Sequence, residues 1–109
     1  MPTPSPQELF DRLVARLAAE PYRTAGLDAA FQFDIGGPAG GRWYLKAAHG
    51  RVQVGHGLVE RPTMTARMSQ TVLAEIASGR LSGEDTFRSA VQLEGETTLG
   101  VYLGEFFGP

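Results

Sequence analysis

Two histidines are the side chains in this sequence best suited to acid–base or metal chemistry. His49 precedes Gly50, and His56 lies between two glycines. Neither belongs to an HExxH spacing, which would place two imidazoles on one face of a helix around a zinc ion. We therefore interpret His49 as a turn residue. His56 either meets the polar head of a ligand or is ordinary loop surface.

Three carboxylates raise the question of paired acid–base catalysis. Asp34 alternates away from the apolar side of its predicted strand, and Glu94 and Glu96 flank a glycine. Glu96 also precedes a predicted helix, whose positive N-terminal end favours a carboxylate without any catalytic role. We expect all three carboxylates to be solvated surface, and no catalytic pair is predicted.

A glycine-rich stretch at 36–41, GGPAGG, invites comparison with a phosphate-binding loop. It lacks the Lys-Ser/Thr ending of such loops, and it leads into a strand instead of a helix N-terminus. It therefore predicts a hairpin turn. The sequence also has no cysteine and no Gly-x-Ser-x-Gly motif, so thiol nucleophiles, thiolate metal sites and the serine elbow are excluded. No metal, cofactor or enzymatic activity is predicted.

Length, charge and composition restrict the number of domains, the possible binding partners and the cellular location. The length of 109 residues suits one domain over 1–109, with 1–6 as a loose N-terminus. A net charge of -2, with scattered basic residues, argues against nucleic acid as a partner. No apolar run approaches the roughly 18 residues of a membrane span, and the N-terminus lacks the features of a secretion signal. With no cysteine present, we expect a cytoplasmic protein.

The stretch 31–54 alternates between apolar and other residues, as strands with one buried face do. Glycine-bearing turns divide it into three runs, so it predicts an antiparallel meander. The inward face is unusually bulky, and we interpret it as the wall of either an apolar cavity or a plain core. Its members are Phe31, Phe33, Ile35, Trp43, Leu45, Ala47, Val52 and Val54.

A helix is predicted before the meander. Ser5 can cap it, Pro6 suits its first position, and Glu8 is placed to complete a capping box. Pro21 ends this helix because a proline cannot continue the hydrogen-bond ladder. Ser69 can cap a second helix in the same way as Ser5.

Beyond the meander the chain alternates between strand and helix periodicity. The resulting order is one helix, four strands, two helices, one strand and one helix. This order is typical of an α+β fold with one sheet and helices mainly on one face. The further strands are predicted at 63–68 and 88–94, and the further helices at 70–78, 82–87 and 96–107.

Several stretches, taken in order and spacing, resemble the sterol carrier protein type 2 family. They are 31–35 with the glycine-rich turn, 43–46, the His49-Gly50 turn, 63–69, 76–81 and 93–96. The likeness covers about 8–107 and is that of a stand-alone, single-domain member. It departs from the family where His49 replaces a frequent Asp or Asn, and where Ser89-Ala90 replaces a frequent Gly-Lys pair.

The resemblance implies an α+β fold with a five-stranded, mostly antiparallel mixed sheet. About four helices would pack mainly on one face, with an apolar tunnel between them. It also implies non-catalytic binding and carriage of a lipid, namely a fatty acid, acyl-CoA, sterol-like molecule or phospholipid. The predicted ligand-binding residues are Phe31, Phe33, Ile35, Trp43, Leu45, Met64, Met68, Leu73, Ile76, Leu81, Phe87, Val91, Leu99, Tyr102, Leu103 and Phe106.

Two alternatives remain open at this point. The apolar set could be plain core, and the chain would then be a protein-interaction or homodimerisation module that presents the last helix. Leu58 and Val59, an apolar pair in a loop, either border a portal that makes transient membrane contact or fold back as an anchor. For a carrier, we expect the last helix to gate the site.

Overall fold

The computed structural model of the chain describes residues 4–81 and 90–108. Three sequence predictions fall outside these ranges: the short helix at 82–87, the site residue Phe87 and positions 88–89 of the fifth strand. The expected loose N-terminus at 1–6 falls partly outside them. At the described positions 90 and 91 the predicted strand is wrong, because the strand begins only at Gln92.

The described residues form an α+β fold, as predicted. They contain three α-helices, where about four were expected, and two 3₁₀ helices. In chain order the elements are α1 (Pro6–Ala19), a 3₁₀ helix (Pro21–Thr24), β1 (Ala29–Gly36), β2 (Gly41–Ala48), β3 (Arg51–His56), β4 (Met64–Ser69), α2 (Gln70–Ala77), β5 (Gln92–Gly95), a second 3₁₀ helix (Thr97–Gly100) and α3 (Val101–Phe107).

The five strands form one mixed sheet in the order β3-β2-β1-β4-β5. The central pair, β1 and β4, is parallel, with Phe31 opposite Met64. The other three pairs are antiparallel. The predicted meander and the predicted mixed, mostly antiparallel sheet are both confirmed.

Both predicted hairpin turns are present. The glycine-rich turn closes with a hydrogen bond from the Gly40 amide to the Gly37 carbonyl at 2.9 Å. The turn between β2 and β3 has two successive left-handed residues, His49 at φ 53° and Gly50 at φ 74°. Two positive φ values are typical of the type I′ turns that join antiparallel strands.

Both helices, α1 and α2, start at the serine caps predicted from the sequence. Ser5 Oγ accepts a hydrogen bond from the Glu8 amide at 3.2 Å, and Ser69 Oγ accepts one from the Val72 amide at 3.1 Å. Each cap satisfies an amide that has no partner within its helix. α1 ends at Ala19, two residues before Pro21, as expected.

The last helix is shorter than predicted. The expected helix over 96–107 is a 3₁₀ helix at Thr97–Gly100 followed by α3. Two adjacent β-branched threonines and a glycine have low helix propensity, which explains why a regular α-helix begins only at Val101.

A segment without helix or strand, 57–63, connects β3 to β4 across the sheet face opposite the helices. Gln32, only 5% exposed, holds this crossover segment. Its Oε1 accepts a hydrogen bond from the Val59 amide at 2.8 Å, and its Nε2 donates to the carbonyls of Gly57 at 3.0 Å and Trp43 at 3.1 Å. The sheet is therefore covered on both faces near Gln32.

Candidate functional site

The inner face of the sheet is a continuous apolar surface. In β1 and β2, Phe31 pairs with Leu45 and Phe33 with Trp43 across the antiparallel ladder. The parallel neighbour β4 extends the surface with Met64, whose side chain is fully buried. Strand alternation places all these side chains on one side of the sheet.

The first helix packs its aromatic residue directly onto this surface. The Phe10 ring is stacked on the Trp43 indole with centroids 4.8 Å apart and planes 7° apart. Phe10 also meets the Phe33 ring edge-on, at 5.3 Å and 63°. Such pairs add to the stabilisation given by burial alone.

The last helix covers the centre of the same surface. The Phe106 ring lies edge-on to Phe31 at 5.3 Å, and Phe107 lies edge-on to Phe33 at 5.7 Å. Leu103, on the same helix, is fully buried. The face of α3 proposed for partner binding is therefore covered by this chain's own sheet at Leu103 and Phe106.

The structure brings the predicted site residues that it describes into one apolar cluster. Most of them are buried, while Leu99 and Tyr102 are half-buried and packed against the rest. Phe10 and Phe107 belong to the same cluster but were not among the predicted site residues. The signal that could have found Phe10 is its place in the apolar stripe of α1, beside Leu9 and Leu13.

Two depressions border this cluster. One, of about 100 Å³, lies between α1, α2 and the end of α3, and Arg12, Arg16 and Phe106 are among its lining residues. The other is an open groove of about 540 Å³ between α1 and the edge strand β3. Its apolar lining includes Val14 and Val54. Between the sheet and α3, by contrast, aromatic side chains are in direct contact.

Two arginines hold the C-terminal end of α3. Arg16 Nη1 donates to the carbonyls of Glu105 at 3.3 Å and Phe106 at 3.1 Å. Arg23 Nη1 donates to the Glu105 carboxylate at 3.0 Å, and Arg23 Nε donates to Glu20 at 2.7 Å. The hydrogen bond from Arg23, together with one from Tyr22, lowers the pKa of Glu20 below its ordinary value. Cations suit this helix end because its carbonyls carry a partial negative charge.

The three carboxylates considered for acid–base catalysis form ion pairs or lie exposed. Asp34 is half-buried and lies 3.7 Å from Arg67, which also pairs with Glu94. Glu96 is exposed. In the ranges 4–81 and 90–108, no three histidines or carboxylates gather closely enough to hold a metal ion.

The two residues of the apolar loop pair differ in exposure. Val59 is buried and hydrogen-bonded to Gln32, so it serves as an anchor, whereas Leu58 is 69% exposed. Among the described residues, no helix has the length and hydropathy needed to cross a membrane.

One buried side-chain polar atom has no hydrogen-bond partner among the described residues. It is Nε1 of Trp43, a residue that is 4% exposed. His56, exposed at the end of β3, lies beside the indole with ring centroids 5.3 Å apart. The sequence predicted Trp43 as part of an apolar wall, but no pattern in it signals that the indole N–H lacks an acceptor.

Fold and site together define a class: an α+β domain in which helices cover one largely apolar sheet face. The chain belongs to the SCP-2 sterol transfer family, whose model matches residues 10–107. The resemblance noted in the sequence is thus confirmed. No curated protein sequence matches the chain.

Solved structures share this fold. The crystal structure of Sterol Carrier Protein 2 Like 2 from Aedes aegypti matches with a TM-score of 0.73 and 20% identity, over 91% of this chain and 93% of that one. The Aedes aegypti Sterol Carrier Protein-2 complex with palmitate gives 0.64 and 16%, over 91% and 90%. The sec-alkylsulfatase Pisa1 from Pseudomonas gives 0.77 and 18%, but 97% of this chain spans only 17% of that enzyme.

Proposed function

We propose that this chain binds and carries an apolar lipid without catalysing a reaction. The ligand would be a fatty acid, acyl-CoA, sterol-like molecule or phospholipid, held between the inner sheet face and the helices. The observation that carries this proposal is the family match over residues 10–107, a family described by sterol transfer. One structural relative, the Sterol Carrier Protein-2 of Aedes aegypti, was solved in complex with palmitate. A cytoplasmic location accords with the absence of cysteine.

The proposed mechanism is passive entry gated by α3. Lifting this seven-residue helix would expose Leu103, Phe106 and Phe107. Re-exposing three such side chains costs roughly 5–9 kcal/mol, whereas each buried methylene of a ligand returns about 0.8 kcal/mol. An acyl chain of about ten methylenes therefore offsets the opening without any polar contact. Met64 and Met68 suit an irregular apolar partner because thioethers adapt their shape.

Substitution within α3 tests this function. We expect Leu103→Arg to lower uptake of a fluorescent fatty acid at least about tenfold, because it places a charge in the proposed apolar site. Val101→Arg is the matched control, since Val101 lies on the same helix and is 74% exposed. Circular dichroism should show that both variants keep their secondary structure. Undiminished uptake by a folded Leu103→Arg variant would show that α3 does not gate the site.

A second candidate is a protein-interaction module with a closed interior. The contacts of Phe10 with Trp43 and of Phe106 with Phe31 favour it, because aromatic rings fill the interior there. Light scattering together with lipid uptake separates the two candidates. A stable dimer that takes up no lipid supports the module, and a lipid-bound chain supports the carrier.

A further inference from the structure

Among the buried side-chain nitrogen and oxygen atoms of the described residues, Nε1 of Trp43 is the one without a hydrogen-bond partner. Trp43 is 4% exposed, and its Nε1 meets no acceptor among the described residues. Most buried polar groups in folded proteins are hydrogen-bonded, and leaving one unpaired forfeits its bonds to water. A buried donor that lies within a proposed ligand site and has no partner among the described residues is a candidate contact for an acceptor on the ligand.

Three neighbours place the indole at the edge of the apolar interior. Phe10 covers one face of the ring at 4.8 Å. The far edge of the six-membered ring lies toward Gly41, where a Cβ would stand 3.4 Å from Cζ3 and Cη2 and more than 4 Å from Nε1. His56, which pairs with Trp43 across β2 and β3, is a further neighbour of the ring. The indole thus lies where the apolar interior meets an exposed polar side chain.

We propose that Trp43 Nε1 donates a hydrogen bond to an oxygen of the bound lipid and so fixes the polar end of the ligand beside His56. This inference rests on the proposed lipid-binding function and narrows its ligand class. An indole N–H is only a donor, so the ligand must carry an acceptor, and a carboxylate accepts more strongly than a neutral carbonyl. The apolar chain would extend from Trp43 over Phe33, its cross-strand partner, toward Phe31.

The single tryptophan of the sequence provides a direct probe. In a proton–nitrogen correlation spectrum of the whole chain, its indole N–H gives one separate resonance. We expect titration with palmitate to shift the indole proton downfield and to slow its exchange with water. Hexadecane, which has the same chain length and no acceptor, should shift methyl resonances of the core but leave the indole proton in place.

A variant measures the strength of this contact. Trp43→Phe keeps a stacked ring but removes the donor, and we expect it to weaken palmitate binding on the order of tenfold more than hexadecane binding. Tyr44→Phe is the matched control, because Tyr44 is half-buried next to Trp43 in β2 but lies on the opposite face of the sheet, outside the proposed site. It should have a smaller effect on palmitate binding.

The outcomes separate this inference from the function on which it rests. Palmitate that shifts core methyl resonances but not the indole proton would overturn the inference and leave lipid binding intact. An indole shift that is equal for palmitate and hexadecane would also overturn it, since the donor would then be paired with water or merely displaced. If neither ligand perturbs the spectrum, the proposed function fails and the inference fails with it.

Discussion

The residue His49 shows how backbone geometry can account for a side chain that invites a catalytic interpretation. It holds φ at 53° beside Gly50 at 74°, in the turn that joins β2 to β3. Left-handed conformations are strained for most residues with a Cβ, and asparagine tolerates them better than other residues except glycine. The sequence predicted the turn, and the structure confirms it.

Replacing His49 tests this interpretation. We expect His49→Asn to raise the free energy of unfolding by about 0.5 kcal/mol, because Asn-Gly is a preferred pair for a type I′ turn. Urea denaturation followed by circular dichroism would measure the change. His56→Asn, at an exposed strand end, is the control and should change stability less. A His49→Asn variant less stable than the parent would contradict the assignment of His49 to a type I′ turn.

The ionisation of Glu20 predicts how the stability of the folded chain depends on pH. Its pKa in the folded chain is lowered from 4.5, first by the hydrogen bond from Arg23. A lowered folded pKa contributes stability that is present above pH 4.5 and is lost as pH falls through the folded pKa. We expect Glu20→Gln to destabilise the chain at pH 7 and to approach parental stability in acid.

Thermal unfolding of parent and variant across this range is the measurement. Glu60→Gln, at an exposed carboxylate in the crossover segment, is the control. The effect should be modest because exposed ion pairs contribute little. A difference between parent and Glu20→Gln that persists unchanged down to acid pH would rule out ionisation as its cause.

The crossover segment is held by Gln32, a residue whose burial cannot be predicted from the alternation of its strand. Gln32 alternates away from the apolar face, as a solvent-exposed residue would, but it is 5% exposed. The sequence could not predict this burial, because it arises when residues far along the chain return across the sheet. The bonded partners Val59 and Gly57 are 27 and 25 positions away.

We expect Gln32→Leu to lower the free energy of unfolding by about 2–4 kcal/mol, because it leaves the Val59 amide and the Gly57 carbonyl without a partner. Gln92→Leu, at an exposed position in β5, is the control and should have less effect. Urea denaturation of both variants would measure the changes. Equal losses would mean that the hydrogen bonds of Gln32 do not hold the segment.

Helix prediction succeeded where capping chemistry was local. Ser5 and Ser69 each cap a helix by accepting a hydrogen bond from the backbone amide three residues later, so the signal for the helix start lies within four consecutive residues. The last helix was predicted too long. Its apolar residues follow helical spacing from Leu99, but the regular α-helix begins only at Val101. Gly100 lies between Leu99 and Val101 and has a low helix propensity, so the apolar spacing extends further than the α-helix does.

For the whole molecule, alternation and order were enough to predict the sheet, its apolar face and the covering helices. The parallel pairing of β1 with β4 has no local signal in the residues, because it joins segments 33 positions apart, such as Phe31 and Met64. The family resemblance implied a mixed sheet, and the structure confirms it. Whether the interior is open or filled could not be predicted, since it depends on how the side chains pack.

Packing energetics account for the close contact of helices and sheet. An empty apolar space costs about 24 cal/mol per Å³, so even a pocket of roughly 300 Å³ would cost about 7 kcal/mol. That cost approaches the whole stability of a typical domain, roughly 5–15 kcal/mol. Side chains such as Phe10, Phe106 and Phe107 fill the space instead. A lipid bound at the proposed site would therefore displace them, and α3 is the element proposed to move.

Native mass spectrometry of the purified chain, with solvent extraction of whatever it carries, tests the central claim most directly. Lipid binding predicts a mass increment that matches an extracted lipid, or uptake of one palmitate per chain when the ligand is added. A mass equal to that of the polypeptide alone, with no increment after palmitate is added, would contradict lipid carriage.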